Sequence, residues 1–144
     1  MESQLVLSSI WEDDSLFEVR ISGSNSVFAG RADCYTNREE IEQLGKILEK
    51  FPTSVKDEFE FKSRSRPDLS YFSISGLCTD RSGHTLLLIT IAHIESFTNS
   101  RNESYKVNFD LKVEPQAINL FGKQLQRIAV EPLAESEAVL KSAI

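Results

Sequence analysis

The chain changes the spacing of its apolar residues twice, and these changes constrain the fold more than any motif does. In "TNREEIEQLGKILEKFP" and "EPQAINLFGKQLQRIAV" apolar side chains recur every three to four residues, as one face of an α-helix requires. The neighbouring segments alternate between apolar and polar residues, as half-buried strands do. The sequence therefore predicts two amphipathic helices among strands. Their apolar faces are Ile41, Leu44, Ile47, Leu48 and Phe51 in the first helix and Ala117, Ile118, Phe121, Leu125 and Ile128 in the second.

The strand pattern occurs three times before the first helix and four times between the two helices. Because the connections are short, successive strands are expected to pair antiparallel. Thr36 or Asn37, each followed three residues later by a glutamate, predicts a capping box at the start of the first helix. Pro115 predicts the start of the second. The seven predicted strands cover residues 4–11, 15–22, 26–35, 57–63, 69–80, 83–94 and 104–113.

These elements predict an α+β fold with two layers, in which an antiparallel sheet of about seven strands packs against both helices on one of its faces. With 144 residues, the chain is long enough to build one core without disulfide or metal support. We assign residues 1–130 to this single domain. Residues 131–144 form an acidic C-terminal tail, for which a short helix and partial disorder are the two alternatives.

Each predicted helix contains a Gly-Lys pair. A phosphate-binding loop is excluded, because that motif places Gly-Lys in a loop before a helix, after an earlier glycine and before Ser or Thr. A glycine within a helix costs up to about 1 kcal/mol relative to alanine, so a close approach to the sheet is the expected compensation. Gly45 aligns with Gly122 at an offset of 77 residues, and the flanking apolar residues align with them. This offset indicates either an internal strand–helix repeat or the common periodicity of two amphipathic helices.

The balance of 16 basic against 22 acidic residues gives a net charge of −6. Nucleic-acid binding is not expected, because it requires clustered basic residues, and the run "KSRSRP" at residues 62–67 is predicted to be a solvated loop. A basic protein partner, in contrast, would be attracted. No segment has the roughly 20 apolar residues of a membrane span, and the N-terminal residues lack a signal-peptide pattern. A cytoplasmic location without membrane contact is therefore expected.

Cys78 and His84 flank the predicted turn "TDRSG" and would face each other across a hairpin. A thiolate and an imidazole can act as nucleophile and base, but no third catalytic group or oxyanion donor accompanies them. The only other cysteine is Cys34, and the two lack the spacing of metal ligands. Structural packing is therefore favoured, and we expect no enzymatic activity, no cofactor and no metal.

The segment "HTLLLITIA" carries apolar residues on both faces of one predicted strand, although a one-sided sheet should have a polar outer face. With His84 opposite Cys78, the outer face would combine the following residues into a partner-binding surface: Tyr71, Leu77, Leu87, Ile89 and Ile91. Three alternatives remain for what buries this surface: a second copy in a homodimer, a foreign protein, or the tail through Leu133, Val139, Leu140 and Ile144.

The stretches "FAGRADCYTNREEIEQLGKILEKFPTSVKDEFEF", "CTDRSGHTLLLITI" and "VEPQAINLFGKQLQRI" resemble a family of small bacterial proteins similar to the WapI-type immunity proteins of polymorphic toxins. The resemblance covers residues 28–128 and rests on structural rather than catalytic motifs. It implies an α+β domain that neutralises a toxin by binding it, and it implies no particular site residues.

The leading hypothesis is a non-enzymatic protein-binding domain, specifically an immunity protein whose acidic surface binds a basic toxin. Two alternatives stay open. One is a small-molecule-binding or catalytic domain that uses Cys78 and His84. The other is a homodimeric structural protein joined through the outer sheet face.

Overall fold

The computed structural model describes residues 3–12, 17–63, 69–96, 102–131 and 136–142. The predicted α+β class is confirmed: within these ranges the chain forms eight strands and two helices. In chain order they are β1 (Ser3–Glu12), β2 (Phe17–Asn25), β3 (Ala29–Thr36), α1 (Arg38–Lys50), β4 (Glu58–Lys62), β5 (Tyr71–Cys78), β6 (Thr85–Ser96), β7 (Asn102–Val113), α2 (Pro115–Val130) and β8 (Glu137–Lys141).

The strands form two four-stranded antiparallel sheets, not the single sheet of about seven strands that we predicted. The first sheet has the strand order β3-β2-β1-β8, and the second has the order β4-β5-β6-β7. Because α1 separates β3 from β4, these two strands need not be neighbours, and the second group of strands forms a sheet of its own. The helices also depart from the prediction. They pack on each other, and α2 packs in addition against β8 and β1.

The C-terminal segment contains a strand where we predicted a short helix or disorder. β8 pairs antiparallel with β1, with Leu140 opposite Leu5, and both side chains are fully buried. The domain therefore extends beyond residue 130, and this part of the tail does not cover the second sheet. Leu133 and Ile144 of the proposed cover lie outside the described residues, as do residues 64–67 of the basic run.

The two halves of the described chain have the same order of elements. Each half consists of three antiparallel strands, a helix and one further strand. In each half the last strand joins the sheet of the other half, so that β4 pairs with β5 and β8 pairs with β1. An offset of 77 residues relates the first residues of the two helices, Arg38 and Pro115. The same offset relates Glu49 of α1 to Gln126 of α2, whose side chains hydrogen-bond each other.

Local sequence explains where both helices begin. The side-chain oxygen of Asn37 accepts a hydrogen bond from the N–H of Glu40 at 2.8 Å, which confirms Asn37 as the cap of α1. Glu39 and Glu40 also place carboxylates in the positive first turn. Pro115 occupies the first turn of α2, where its missing N–H costs no hydrogen bond, and Glu114 before it makes no side-chain cap.

The two helices meet at Gly45 and Gly122. A Cβ on Gly45 would lie 2.7 Å from the carbonyl oxygen of Gly122, and a Cβ on Gly122 would lie 2.6 Å from the carbonyl oxygen of Gly45. The glycines thus allow two helix backbones to touch, whereas we predicted an approach to the sheet. Beside this contact, Gln126 donates a hydrogen bond to Glu49 at 2.9 Å.

The sheets contact each other directly through β2 and β3 on one side and β5, β6 and β7 on the other. Two glycines permit the approach: a Cβ on Gly23 would lie 2.8 Å from the ring of Phe109, and one on Gly30 would lie 2.5 Å from the side chain of Val107. Both sheets and both helices therefore share one hydrophobic core. The same contact brings the β2–β3 turn next to strand β7.

Candidate functional site

The register between β5 and β6 decides which side chains the second sheet presents. We predicted His84 opposite Cys78, but the structure pairs Cys78 with Thr85 and Ile74 with Ile89. Because neighbouring residues of a strand point to opposite sides of the sheet, this shift of one residue exchanges the two faces of β6.

Three of the five predicted partner-binding residues consequently lie in the core. Leu87, Ile89 and Ile91 are at most 2% exposed, so the prediction that they form an outer surface is wrong. Tyr71 and Leu77 are half-buried on the opposite, outer face of the second sheet. The structure thus separates residues that the sequence placed together.

Tyr71 is partly covered by charged neighbours on that outer face. The ammonium group of Lys62 lies 4.6 Å from the centre of its ring, and that of Lys106 lies 5.9 Å away. Both lysines can interact with the negative face of the ring. The ring is therefore already engaged within the chain.

On β6 the outward-facing leucines are Leu86 and Leu88, whereas we predicted Leu87, Ile89 and Ile91 on the outer face. Leu86 pairs with Leu77 on β5, and Leu88 pairs with Asp110 on β7. Leu88 is 39% exposed. The most exposed apolar side chain of this face therefore lies directly beside a carboxylate.

The β2–β3 turn adds two further exposed apolar side chains from the other sheet. Val27 is 69% exposed and Phe28 is 59% exposed. The turn is nevertheless firmly built, because the side-chain oxygen of Asn25 accepts hydrogen bonds from the N–H groups of Val27 and Phe28 at 3.1 and 2.9 Å. Ser26, between Asn25 and Val27, has a φ of 75°, a conformation that residues other than glycine rarely adopt.

Two depressions flank this turn, and both are lined by Asn25 and Asp110. The smaller, which we call the groove, has a volume of about 480 Å³. The larger, which we call the cleft, has a volume of about 740 Å³ and reaches the β5–β6 turn. The groove is lined by Asn25, Phe28, Leu88, Ile89, Thr90, Asn108, Phe109 and Asp110. The lining of the cleft includes Ser26, Asp80, His84, Leu86, Asp110, Lys112 and Glu114.

An Asp–His pair lies in the cleft wall. His84 Nδ1 is 2.6 Å from the carboxylate of Asp80, and the other carboxylate oxygen of Asp80 accepts hydrogen bonds from the N–H groups of Ser82 and His84. The hydrogen bond to Asp80 raises the pKa of His84, and the same bond lowers the pKa of Asp80. The pair is therefore held as an ion pair over a wider pH range than isolated side chains would allow.

The structure does not bring Cys78 together with His84. The Cys78 sulfur lies 3.7 Å from the carbonyl oxygen of Ser54, while the imidazole is bound to Asp80. The predicted Cys78–His84 pairing across the hairpin is therefore wrong. Cys34 is buried, and its burial raises the pKa of its thiol to about 12, so it is a packing residue.

The charged groups of the cleft are predominantly acidic. Asp80, Asp110 and Glu114 contribute three carboxylates, and the basic groups are the ammonium group of Lys112 and the imidazole of His84, which is paired with Asp80. Within the described ranges, no group of three or more His, Cys, Asp or Glu side chains could hold a metal ion. No described helix is long and apolar enough to cross a membrane.

The chain was compared with known proteins in three ways. No family model matches it, and no curated protein and no solved structure is significantly similar to it. The resemblance to immunity proteins thus stays a prediction.

Sequence reasoning missed Val27, Phe28 and Leu88. A signal for the first two was present in "SGSNSVFAG", where turn-forming residues are followed at once by two large apolar side chains at the strand junction. No comparable signal existed for Leu88, because every residue from Leu86 to Ile89 is apolar and either face of the strand could have been the buried one.

Proposed function

We propose that this protein is a non-enzymatic domain that binds another protein, and that it acts as an immunity protein against a bacterial toxin. The observation that carries the proposal is the surface where Phe28 from the β2–β3 turn and Leu88 from the second sheet line one groove beside Asp110. Protein interfaces commonly centre on a few apolar anchors surrounded by polar groups. The surface has this composition.

Charge supports a basic partner. The net charge of −6 attracts a cationic protein over long range, and the carboxylates near the groove favour Lys and Arg at close range. Many toxins that cleave nucleic acids need a basic surface, because they must bind phosphates. An acidic domain that covers such a surface would block the substrate without any chemistry of its own.

Affinity purification of the tagged protein from its native cells tests the proposal. We expect one protein to co-purify in a fixed ratio and to be released by high salt. When that protein is expressed in a bacterial host, growth should stop, and co-expression of the present chain should restore it. A chain that purifies alone at physiological salt, or a partner that the chain does not neutralise, would contradict the proposal.

Light scattering over a dilution series tests the homodimer alternative. A second copy would bring the same carboxylates against the same surface, and like charges in contact are unfavourable. We therefore expect the mass of a monomer at every concentration. A concentration-dependent dimer that is abolished by Leu88→Asp would favour self-association instead.

A further inference from the structure

Hydrogen bonds hold the backbone of the β2–β3 turn, which carries the exposed side chains of Val27 and Phe28. Besides the two hydrogen bonds to its side chain, Asn25 donates its N–H to the carbonyl oxygen of Phe28 at 3.0 Å. A rigid exposed anchor loses little conformational entropy when a partner covers it, so more of the contact energy becomes affinity. An exposed Phe28 on such a turn is therefore suited to be a contact residue.

The groove beside Phe28 offers an apolar contact with a structured polar border. Phe28 and Leu88 provide its exposed apolar side chains. Next to them, the Thr90 hydroxyl donates a hydrogen bond to the side-chain oxygen of Asn108 at 2.6 Å. Because these polar groups already satisfy each other, a partner does not have to pair with both of them when it covers Leu88.

The charges beside the groove specify the chemistry of the occupant. Asp110 lines both depressions and Glu114 lies further along the cleft, where the basic groups are Lys112 and His84, the latter paired with Asp80. A cationic side chain next to an apolar one would satisfy both parts of the surface. A second copy of this acidic chain would not, because it brings no excess of positive charge.

We propose that the groove between Phe28 and Leu88 is a docking site for a polypeptide segment with a large apolar side chain next to Lys or Arg. The apolar side chain occupies the groove, and the cation extends past Asp110 into the cleft. This inference rests on the proposed function and names the residues and the partner chemistry through which it operates.

A displayed library of random linear peptides, selected on the full chain, tests the docking site. Enriched peptides should combine Arg or Lys with a neighbouring large apolar residue. Leu88→Asp should weaken their binding at least about tenfold, and Asp110→Asn should weaken it in a salt-dependent way. Leu120→Asp is the matched control, because Leu120 on α2 is 56% exposed and lies outside both depressions. It should change the Kd by less than about twofold.

Three results would overturn the docking site: acidic or uncharged peptides, no enriched peptide, or equal binding to the Leu88→Asp and Leu120→Asp variants. Circular dichroism confirms that each variant is folded. The co-purification experiment separates this inference from the proposed function. If the native partner still binds the double variant Phe28→Ser and Leu88→Asp, the docking site is wrong although the proposed function stands. If no partner exists, the proposed function itself fails.

Discussion

Gly45 and Gly122 each place a backbone carbonyl oxygen within 2.7 Å of the position at which the other residue would carry a Cβ. A glycine in a helix is unfavourable by about 1 kcal/mol relative to alanine, so its presence in both helices requires a compensating contact. The spacing of apolar residues placed both glycines in the helices, and both are buried. It could not identify what they touch, because that depends on how closely two separate elements approach.

The first prediction concerns this contact. Gly122→Ala should lower the free energy of unfolding by about 1–3 kcal/mol, because the new methyl group overlaps backbone atoms that cannot move independently. The nearest is the nitrogen of Glu49, at 2.5 Å from the position of the new Cβ. Urea unfolding measures the loss as a lower midpoint with an unchanged slope.

Lys123→Ala is the control for this substitution, since Lys123 is the neighbouring residue of the same pair and is exposed. It should change the stability by less than about 0.5 kcal/mol. A Gly122→Ala variant that is as stable as the native protein would show that separating the helices costs no more than the roughly 1 kcal/mol that alanine gains in helix propensity, and the role assigned to the glycines would be wrong.

At the scale of elements, the period of the sequence located both helices and the seven strands that precede α2. It failed on the register of β5 and β6 because the strand is apolar on both faces, so neither register was favoured by burial. The turn decides the register instead. Asp80 accepts hydrogen bonds from the N–H groups of Ser82 and His84, and Gly83 has a φ of 87°. The loop between the paired residues Cys78 and Thr85 is residues 79–84, one residue longer than predicted.

The failure at β8 has a different cause. The segment "EAVLK" is too short to show a clear period of apolar residues. Its pairing partner is β1, which lies at the opposite end of the sequence. Ala138 and Leu140 are buried because β8 joins the edge of the first sheet. Such long-range pairing is not visible in the local pattern of the strand.

The second prediction compares the caps of the two helices. Asn37→Ala should reduce stability by about 1 kcal/mol, because it leaves the N–H of Glu40 without its side-chain acceptor. Glu114 holds the corresponding position before α2 but makes no side-chain cap, so Glu114→Ala should have almost no effect. Thermal unfolding of both variants under identical conditions measures the difference. Equal losses in the two variants would contradict it.

At the scale of the whole molecule, neither half is a separate unit. Each sheet takes three strands from one half and its fourth from the other, and the helices of the two halves pack on each other. The offset of 77 residues seen in the sequence corresponds to this arrangement of the elements. The exchange of β4 and β8 between the halves could not be predicted, because an offset relates positions in the sequence and carries no information about pairing.

The third prediction follows from this exchange. The N–H of Ser142 after β8 donates a hydrogen bond to the carbonyl oxygen of Ser3 at 3.0 Å, so the two described ends of the chain are adjacent. A circular permutant joined there by a short linker and opened between Ser63 and Leu69 should fold. In the native chain β4 is connected to β5 and β8 is not connected to β1. The permutant connects β8 to β1 and separates β4 from β5, so both strand pairs stay available. We expect a loss of at most about 2 kcal/mol, since loop closure changes by only about 0.6 kcal/mol per doubling of length.

A permutant opened between Gly45 and Lys46 divides α1 and should not fold. Circular dichroism and urea unfolding distinguish the two, and an unfolded first permutant would show that the β4–β5 connection is essential to the fold.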